Sequence, residues 1–281
     1  MQIYTFVIKE LIILAKNFML NFKGKTALIT GASSGIGEAI AYELAFQGAN
    51  LLLISSNEQK LQKVANNLEK FDIDITYKAT DLSNFNSIDN LVEFINTNNI
   101  KPSLLVLNAG VSQRSKTLET DFEVDQKLMN INYFGHVYLI KKMKEHLLSE
   151  NQISIAVNTS ISGVFGFPLR SAYAASKRAL FGFFESLDLE YDNINVTFLI
   201  PGRINTEISK SALLGDGKPY AKMDDGQATG MDVTKCAKIA VKAIRKKKKK
   251  KLIGGKELLM VHFYKFIPPL FYKLAKKVSA T

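Results

Sequence analysis

A tyrosine and a lysine lie four positions apart in the segment 173–177, which reads Tyr-Ala-Ala-Ser-Lys. In a helix this spacing puts the side chains of Tyr173 and Lys177 on one face, one turn apart. A nearby ammonium group stabilises a phenolate, so the pair is a candidate acid/base for proton transfer at neutral pH. The same spacing is also common between exposed residues of surface helices, and by itself it favours such a surface pair.

A serine thirteen residues before Tyr173 favours the catalytic interpretation of the pair over the surface one. Ser160 ends the segment Asn-Thr-Ser at 158–160, where an apolar run predicted to be a strand stops. At the carboxyl end of a strand, a hydroxyl can donate a hydrogen bond to a carbonyl oxygen that gains negative charge during a reaction. Ser160, Tyr173 and Lys177 together therefore indicate acid/base chemistry at an oxygen-bearing carbon.

Three glycines follow the first predicted strand, at Gly31, Gly35 and Gly37, and a predicted helix begins near Glu38. Backbone without side chains can approach a pyrophosphate, and the N–H groups and dipole of a helix N-terminus stabilise its charge. Glycines also mark ordinary tight turns. Their position directly after the first strand favours dinucleotide binding over a simple turn.

Two asparagines are further candidates for the same site. Asn108 follows the fourth predicted strand in Asn-Ala-Gly at 108–110, and Asn132 lies in the segment 130–135. Buried asparagines often satisfy backbone groups, so Asn108 is either a structural strut or a cofactor contact.

The elements that must position these residues are strands and helices in alternation. From Lys25 onward, short apolar runs alternate with longer segments of helical period, which is typical of successive βαβ units. Continuous apolar runs such as 51–54 indicate strands buried on both faces, and right-handed crossovers place helices on both sides of the sheet. The predicted fold is an α/β doubly wound parallel sheet of about seven strands, at 26–30, 50–54, 74–79, 104–107, 153–158, 196–200 and 251–253.

In order and spacing, these motifs resemble those of short-chain dehydrogenases/reductases over roughly residues 22–255. The elements are Thr-Gly-x-x-x-Gly-x-Gly, Asn-Ala-Gly, Ser, Tyr-x-x-x-Lys and Pro-Gly, the last at Pro201 and Gly202. The resemblance implies a single-domain Rossmann-type fold and an NAD(P)-dependent oxidoreductase. Such an enzyme transfers a hydride between nicotinamide and a carbonyl or alcohol, with a tyrosine as acid/base and no metal.

The resemblance also implies a role for each matched residue. Tyr173 would donate or accept the proton, Ser160 would polarise the substrate oxygen, and Lys177 would bind the nicotinamide ribose. Asn132 would hold a water that relays protons between Lys177 and solvent. Asp81 would contact adenine and Thr206 would lie near the carboxamide. The full set of expected cofactor-binding residues is Thr30, Gly31, Ser33, Ser34, Gly35, Ile36, Gly37, Ser55, Ser56, Asp81, Leu82, Asn108, Ala109, Gly110, Tyr173, Lys177, Pro201, Gly202 and Thr206.

The choice between NAD and NADP depends on the residues about twenty positions past the glycines. An acidic side chain there binds the ribose 2′-hydroxyl, whereas an arginine accepts a 2′-phosphate. The chain has Ser55, Ser56 and Asn57 at this point and departs from both patterns. Because no carboxylate repels a phosphate and two hydroxyls can bind it, the sequence favours NADP over NAD.

Composition predicts one catalytic domain with two extensions. A chain of 281 residues, 47% of them apolar, can bury one substantial core, assigned to residues 22–255 between an amphipathic extension at 1–21 and a tail at 256–281. The single cysteine, Cys236, excludes an internal disulfide, and the three histidines lack metal-ligand spacing, so no metal site is expected. Of the net charge of +11, the run 245–251 contributes seven, which leaves +4 for the remainder.

The two ends predict contact with an apolar surface. Residues 1–20 have the pattern of an amphipathic helix, which would pack on this domain or a partner subunit, or anchor the protein to a membrane surface; translation from Met19 would remove it. Lys9, Glu10 and Lys16 interrupt the apolar segment, so no membrane span is expected. A cleavage site of small residues does not follow the segment, so no secretion signal is expected either. Aromatic residues and lysines alternate at 262–274 and suit a lipid interface. The run 245–251 could contact anionic headgroups, although a solvated surface is the commonest explanation for such a lysine run. We expect a protein of the cytoplasmic side, attached to the membrane surface.

The sequence also indicates a substrate class and an oligomeric state. Residues 205–231 are expected to form a lid over the substrate cleft, and their apolar side chains favour an apolar or lipid-like carbonyl or alcohol. The resemblance to short-chain dehydrogenases/reductases implies a homodimer or tetramer, because in that family the helices after the fourth and fifth strands, here 122–148 and 171–192, usually pack across a two-fold axis.

Two other classes of function are less consistent with the sequence. A catalytically silent Rossmann-type binding protein would keep the glycines without needing Ser160, Tyr173 and Lys177. Nucleic-acid binding would require basic and aromatic residues spread over a surface rather than one lysine tract, and no nucleic-acid partner is expected.

Overall fold

The computed structural model describes residues 20–277, which form a seven-stranded parallel sheet with helices on both faces. The strands lie in the order β3-β2-β1-β4-β5-β6-β7, and each adjacent pair is parallel. Their bounds are β1 (Thr26–Thr30), β2 (Asn50–Ser55), β3 (Ile75–Ala79), β4 (Pro102–Leu107), β5 (Ile153–Asn158), β6 (Ile194–Pro201) and β7 (Lys250–Ile253). The predicted fold class is confirmed, while the amphipathic pattern of residues 1–19 lies outside the described residues.

The order of the strands reverses between β1 and β4. After β1 the chain builds outward through β2 and β3, then crosses to β4 and builds outward on the other side. The loops that follow β1 and β4 therefore diverge and leave a crevice at the carboxyl ends of the two strands, where ligands bind in sheets of this type.

Helices connect the strands and cover the sheet. Their bounds are α1 (Gly35–Phe46), α2 (Glu58–Leu68), α3 (Phe85–Thr97), α4 (Phe122–Met129), α5 (Gly135–Lys142), α6 (Lys144–Ser149), α7 (Ile161–Val164), α8 (Ser171–Glu190), α9 (Asp225–Ala228), α10 (Val233–Arg245), α11 (Leu259–Phe266) and α12 (Pro268–Ala275).

The sheet separates two hydrophobic clusters. Neighbouring strand residues alternate between them, as Ile29 packs with residues of α1, α2 and α10 while Leu28 packs with residues of α3, α5 and α8. Because both faces are covered, both sets of strand side chains must be apolar, which explains the continuous apolar runs in the sequence.

The predicted strands match the observed strands with differences at the ends. β4 begins at Pro102 and β6 at Ile194, each two residues before the predicted start. Ser103 and Asn195 interrupt the apolar pattern there. Asn195 pairs with Ser154 in the ladder, whereas Ser103 lies at a shift in register between β1 and β4. Hydrogen bonding of the backbone extends each strand beyond the apolar run that marks it.

Part of the basic run 245–251 forms the outer edge of the sheet. Lys250 and Lys251 lie in β7, which pairs with β6. Lys249 and Lys250 form salt bridges with Asp188 (2.6 Å) and Glu185 (2.5 Å) of α8. Lysines on an edge strand oppose pairing with another strand, so these residues have a structural explanation.

The C-terminal helices pack through a few aromatic side chains. Phe271 of α12 is 2% exposed and its ring centroid lies 4.8 Å from that of Phe165. Residues 265–270, at the junction of α11 and α12, are all exposed. Within residues 20–277, every helix is too short or too polar to cross a membrane.

Candidate active site

Tyr173 and Lys177 lie one turn apart near the start of α8, where both side chains are buried. The Lys177 ammonium donates a hydrogen bond from Nζ to the carbonyl oxygen of Asn158 at the end of β5, at 2.9 Å. Burial lowers the pKa of Lys177 from its ordinary value of 10.5 to about 8. The pair is therefore a buried one, unlike the surface pair that the spacing alone would also permit.

Asn132 is fully buried in a π-helical turn, Asn130–Phe134, between α4 and α5. Its side chain accepts a hydrogen bond from Val111 N (2.8 Å) and donates to Val111 O (2.9 Å) and to Ser176 Oγ (3.0 Å). A Cβ added to Gly110 would lie 2.9 Å from Asn132 Oδ1 and 3.2 Å from Lys177 Nζ. Asn132 and Lys177 thus border one small space that the glycine keeps open.

Ser160 follows β5 and caps the short helix α7, where its Oγ accepts a hydrogen bond from Ser162 N at 3.1 Å. That bond uses a lone pair, so the hydroxyl hydrogen remains available to donate to a substrate oxygen. Ser160 also lines a pocket together with residues of the loop before α8 and of the loop after β6.

The glycine-rich turn has the geometry that its sequence predicts. Gly31 and Gly35 have φ values of +66° and +58°, in the left-handed region that favours glycine. A Cβ at Gly37 would collide with the carbonyl oxygen of Gly31 and with the side chain of Asn108. The turn therefore presents backbone rather than side chains at the N-terminus of α1.

Asn108 ties together the carboxyl ends of three strands. Its Nδ2 donates to Thr30 O and Gly31 O, both at 3.2 Å, and its Oδ1 accepts from Asn158 Nδ2 at 2.7 Å. In turn Thr30 Oγ1 accepts from the backbone N–H groups of Asn108 and Ala109. Of the two interpretations of Asn108, these bonds favour the strut.

A buried histidine supports the same turn. The Nε2 atom of His136 lies 2.9 Å from the carbonyl oxygen of Ala109. Burial lowers the pKa of His136 to about 4, so the ring is neutral at physiological pH. Since a carbonyl can only accept, Nε2 carries the hydrogen and donates it to the loop.

The other expected cofactor positions lie at the same edge of the sheet. Ser33 Oγ in the loop after β1 and Ser55 Oγ at the end of β2 form a hydrogen bond of 2.7 Å, while Ser56 is exposed. Asp81 follows β3 and accepts from the backbone and hydroxyl of Ser83. The remaining expected positions are also at strand ends or in the glycine-rich turn, at Ser34, Ile36, Leu82, Pro201, Gly202 and Thr206.

The sequence of residues 25–215 matches the family model of short chain dehydrogenases. The match covers well over half of the chain. The chain belongs to the short-chain dehydrogenase family. It is accordingly an oxidoreductase that acts on CH–OH or C=O groups.

Similar short-chain dehydrogenases occur in animals. A Drosophila melanogaster protein named "Dehydrogenase/reductase SDR family protein 7-like" is 34% identical over 264 residues, which span 92% of this chain and 81% of the relative. "Dehydrogenase/reductase SDR family member 7B" of Danio rerio is 35% identical over 243 residues, which span 84% of this chain and 79% of the relative.

Solved structures share the fold of this short-chain dehydrogenase. A short chain dehydrogenase/reductase from Burkholderia phymatum in complex with NAD superposes with a TM-score of 0.78 at 23% identity, covering 90% of this chain and 96% of its own. An alcohol dehydrogenase from Thermococcus sibiricus complexed with 5-hydroxy-NADP superposes with a TM-score of 0.72 at 23% identity, covering 83% of this chain and 97% of its own.

Sequence reasoning missed Gln113 of this short-chain dehydrogenase. The Gln113 side chain is fully buried, and its Oε1 accepts from the backbone N–H groups of Ala172 (3.0 Å) and Tyr173 (3.3 Å). Its Nε2 donates to Thr120 Oγ1 and, at 3.4 Å, to Ser171 Oγ. Gln113 therefore fixes the first turn of the helix that carries Tyr173. No motif in the sequence marks Gln113, which lies five residues after Asn108, so this contact with α8 was not predicted.

A group of charged residues beside Ser160 was also missed. Arg170, Arg203 and Asp224 line the pocket, and Arg114 forms a buried ion pair with Asp224. One signal was present in the sequence, because Arg170 lies only three residues before Tyr173, at the N-cap of α8. Within the segment 205–231, which the sequence predicts to be a lid, Leu213 is buried in a small cluster with Val124, Leu128 and Ala172.

Proposed function

We propose that this short-chain dehydrogenase uses NAD(P) to move a hydride between nicotinamide and a carbonyl or alcohol, with Tyr173 as the acid/base. The observation that carries the proposal is the burial of Tyr173 and Lys177 on one turn of α8, close to the pocket that Ser160 lines. A surface pair would be solvated and would have no pocket beside it.

The glycine-rich turn fits a dinucleotide. Gly31 and Gly35 adopt backbone conformations that leave no side chain over the N-terminus of α1, and that terminus supplies N–H groups and positive dipole for a pyrophosphate. When bound, the nicotinamide supplies or accepts the hydride.

The side chains of the site would handle the proton and the charge. In the direction of reduction, Tyr173 would donate its hydroxyl proton to the substrate oxygen as the carbon is reduced. Ser160 would donate a hydrogen bond to the same oxygen and stabilise charge that peaks in the transition state. With a pKa of about 8, Lys177 exchanges its proton near physiological pH, and the space beside Asn132 would hold a relaying water.

We also propose NADP as the favoured cofactor. Ser33 and Ser55 present two hydroxyl groups within 2.7 Å of each other at the end of β2, close to the expected ribose position. Neither repels a phosphate. Among structures with this fold, one is complexed with NAD and another with 5-hydroxy-NADP.

Two proposals concern partners. The exposed apolar junction of α11 and α12, with lysines beside it, supports peripheral attachment to an anionic membrane surface on the cytoplasmic side. Exposed apolar residues on α4 and α8 support pairing into a homodimer.

The decisive experiment measures oxidation of NADPH and NADH by the purified protein with a panel of aldehydes and ketones. We expect turnover with the wild type, faster with NADPH. We expect a loss of about 100-fold or more in kcat for Tyr173→Phe, because proton transfer by a side chain contributes at least that much. Cofactor affinity should change little, since the substitution removes only a hydroxyl group.

Tyr191→Phe, at the other end of α8, is the matched control and should behave as the wild type. Substantial turnover by Tyr173→Phe would remove Tyr173 from its role. Cofactor binding by the wild type without turnover of any compound would favour the alternative, a catalytically silent binding protein.

A further inference from the structure

The start of the C-terminal segment contacts the loop that follows β6. Glu257 lies in the single turn Lys256–Leu258, directly before α11, and is partly buried. Its Oε1 accepts hydrogen bonds from Arg203 N and from Gly255 N, both at 2.9 Å. Arg203 and Glu257 are 54 residues apart in the chain. One carboxylate therefore joins the loop after β6 to the loop after β7.

Two glycines make room for this carboxylate. A Cβ added to Gly202 would lie 2.9 Å from both Cγ and Cδ of Glu257, and one added to Gly254 would collide with its Oε1. Neither glycine has a φ value in the left-handed region, so the backbone conformation does not by itself require glycine at these positions. The close approach of the Glu257 side chain accounts for both glycines instead.

The loop that Glu257 contacts lies against the glycine-rich turn. A Cβ added to Gly35 would lie 3.4 Å from the side chain of Thr206, at the far end of this loop. The N–H group of Arg203 donates to Glu257, and its carbonyl oxygen accepts from Met231 N at 2.8 Å. At Arg203 the backbone of the loop is thus bonded both to the C-terminal segment and to the segment before α10, and these bonds fix the loop beside the turn.

The C-terminal segment also packs against the loop after β5. The ring centroids of Tyr264 and Phe271 lie 5.8 and 4.8 Å from that of Phe165. Phe165 is the C-cap of α7, the short helix that begins at Ser160. Residues of both loops line the pocket. The segment that the sequence assigns to a tail beyond residue 255 therefore supports two sides of the active site, although it lies outside the matched family model.

We propose that Glu257 is a positioning residue for cofactor binding, whose carboxylate holds the loop after β6 where Gly202 and Thr206 can contact NADP. This inference rests on the proposed function and adds a residue to it. Without the carboxylate, the N–H group of Arg203 loses its acceptor and the loop loses a fixed contact. The binding of NADP must then order the loop, and that cost lowers the affinity.

Titration of the full-length protein with NADPH, followed by the fluorescence of the bound nicotinamide, tests the inference. For Glu257→Ala we expect Kd to rise about 10-fold or more, which is the effect of a hydrogen bond to a charged group. Glu257→Gln keeps an acceptor oxygen on a side chain of the same shape and should stay close to the wild type. An electrostatic effect would have the opposite sign, because loss of a negative charge strengthens the binding of an anionic dinucleotide.

Lys256→Ala, at the exposed neighbouring residue, is the matched control and should bind NADPH as the wild type does. In steady-state kinetics, KM for NADPH should rise in Glu257→Ala while kcat changes little, because the proposed catalytic residues keep their contacts. If Glu257→Ala does not fold, Gly254→Ala displaces the same carboxylate and should also weaken binding. Unchanged affinity in these variants, or an equal loss in Lys256→Ala, would overturn the inference.

Hydrogen exchange of the peptide that spans residues 202–206 gives a readout without cofactor. The N–H group of Arg203 should exchange faster in Glu257→Ala than in the wild type, Glu257→Gln or Lys256→Ala, because only there has it lost its acceptor. Equal exchange in all four proteins would contradict the inference. If the wild type binds neither NADPH nor NADH, the proposed function fails, and the exchange rates still decide whether Glu257 holds the loop.

Discussion

At the residue scale, the position of Tyr173 depends on a side chain from another loop. Gln113 accepts hydrogen bonds from the N–H groups of Ala172 and Tyr173, which have no partners within α8 because they belong to its first turn. Ser160 and Lys177 are held by equally direct contacts, to α7 and to the end of β5. Each of these three residues thus takes part in a hydrogen bond between a side chain and a backbone group.

Gln113→Leu should lower kcat by about 10-fold or more while KM for the cofactor changes little. The substitution leaves two N–H groups without an acceptor and releases the first turn of α8. Steady-state kinetics measures the effect, and Gln113→Glu, which keeps an acceptor oxygen, should restore part of kcat. The exposed Gln152 supplies the control Gln152→Leu. If Gln113→Leu loses only folded protein and not kcat per folded molecule, the residue is structural and does not position Tyr173.

At the element scale, the C-terminal helices have one buried aromatic contact, at Phe271, and an exposed apolar tip, which is the junction of α11 and α12 at residues 265–270. The ring of Phe271 in α12 packs against the ring of Phe165, whereas Phe266 and Ile267 are 68% and 48% exposed. Lysines border the tip at Lys265 and Lys273, where they can reach anionic headgroups. Lys249 and Lys250 form salt bridges, and Lys250 and Lys251 lie on the edge strand β7. The exposed junction of α11 and α12 is therefore the stronger candidate for a membrane contact.

We expect the full-length protein to float with vesicles of phosphatidylcholine and phosphatidylserine at low salt. Phe266→Ser/Ile267→Ser/Leu270→Ser should reduce the floating fraction several-fold, because burial of apolar surface stabilises attachment by roughly 25 cal/mol per Å². Since these side chains are exposed, the variant should keep its fold. Phe46→Ser, at an aromatic residue of α1 that is 75% exposed, is the control. Wild-type protein that remains at the bottom of the gradient would contradict the proposal.

At the scale of the whole molecule, exposed apolar side chains on α8 and around α4 indicate a surface for a second copy of the chain. Phe122, Phe134 and Leu189 are 69%, 44% and 84% exposed. A two-fold axis would use each such residue twice, which makes a modest patch sufficient for association.

Light scattering at micromolar concentration should therefore give at least twice the 31.3 kDa of one chain. Leu189→Glu should shift the mass towards the monomer, because a charge buried at the interface is costly. Leu118→Glu, at a residue that is 99% exposed outside those helices, should have no effect. A monomer mass for the wild type would be inconsistent with the proposed dimer.

The amino-acid sequence by itself determined the strands, their parallel arrangement and the positions of the candidate catalytic residues. These features depend on patterns that are local in the chain. Runs such as 51–54 mark strands buried on both faces, and Ser160, Tyr173 and Lys177 fall within one βα segment. Local spacing controls which side chains share a helical face or a strand end, so it can be recognised without coordinates.

Only the tertiary structure decided which distant residues meet at the pocket. Arg114 and Asp224 are 110 residues apart, and Gln113 reaches α8 across 59 positions. No period or motif relates residues at such separations, since their contact depends on how several loops pack over the carboxyl ends of the strands. The ion pair of Arg114 and Asp224 and the contact of Gln113 with α8 therefore emerged from packing rather than from any pattern along the chain.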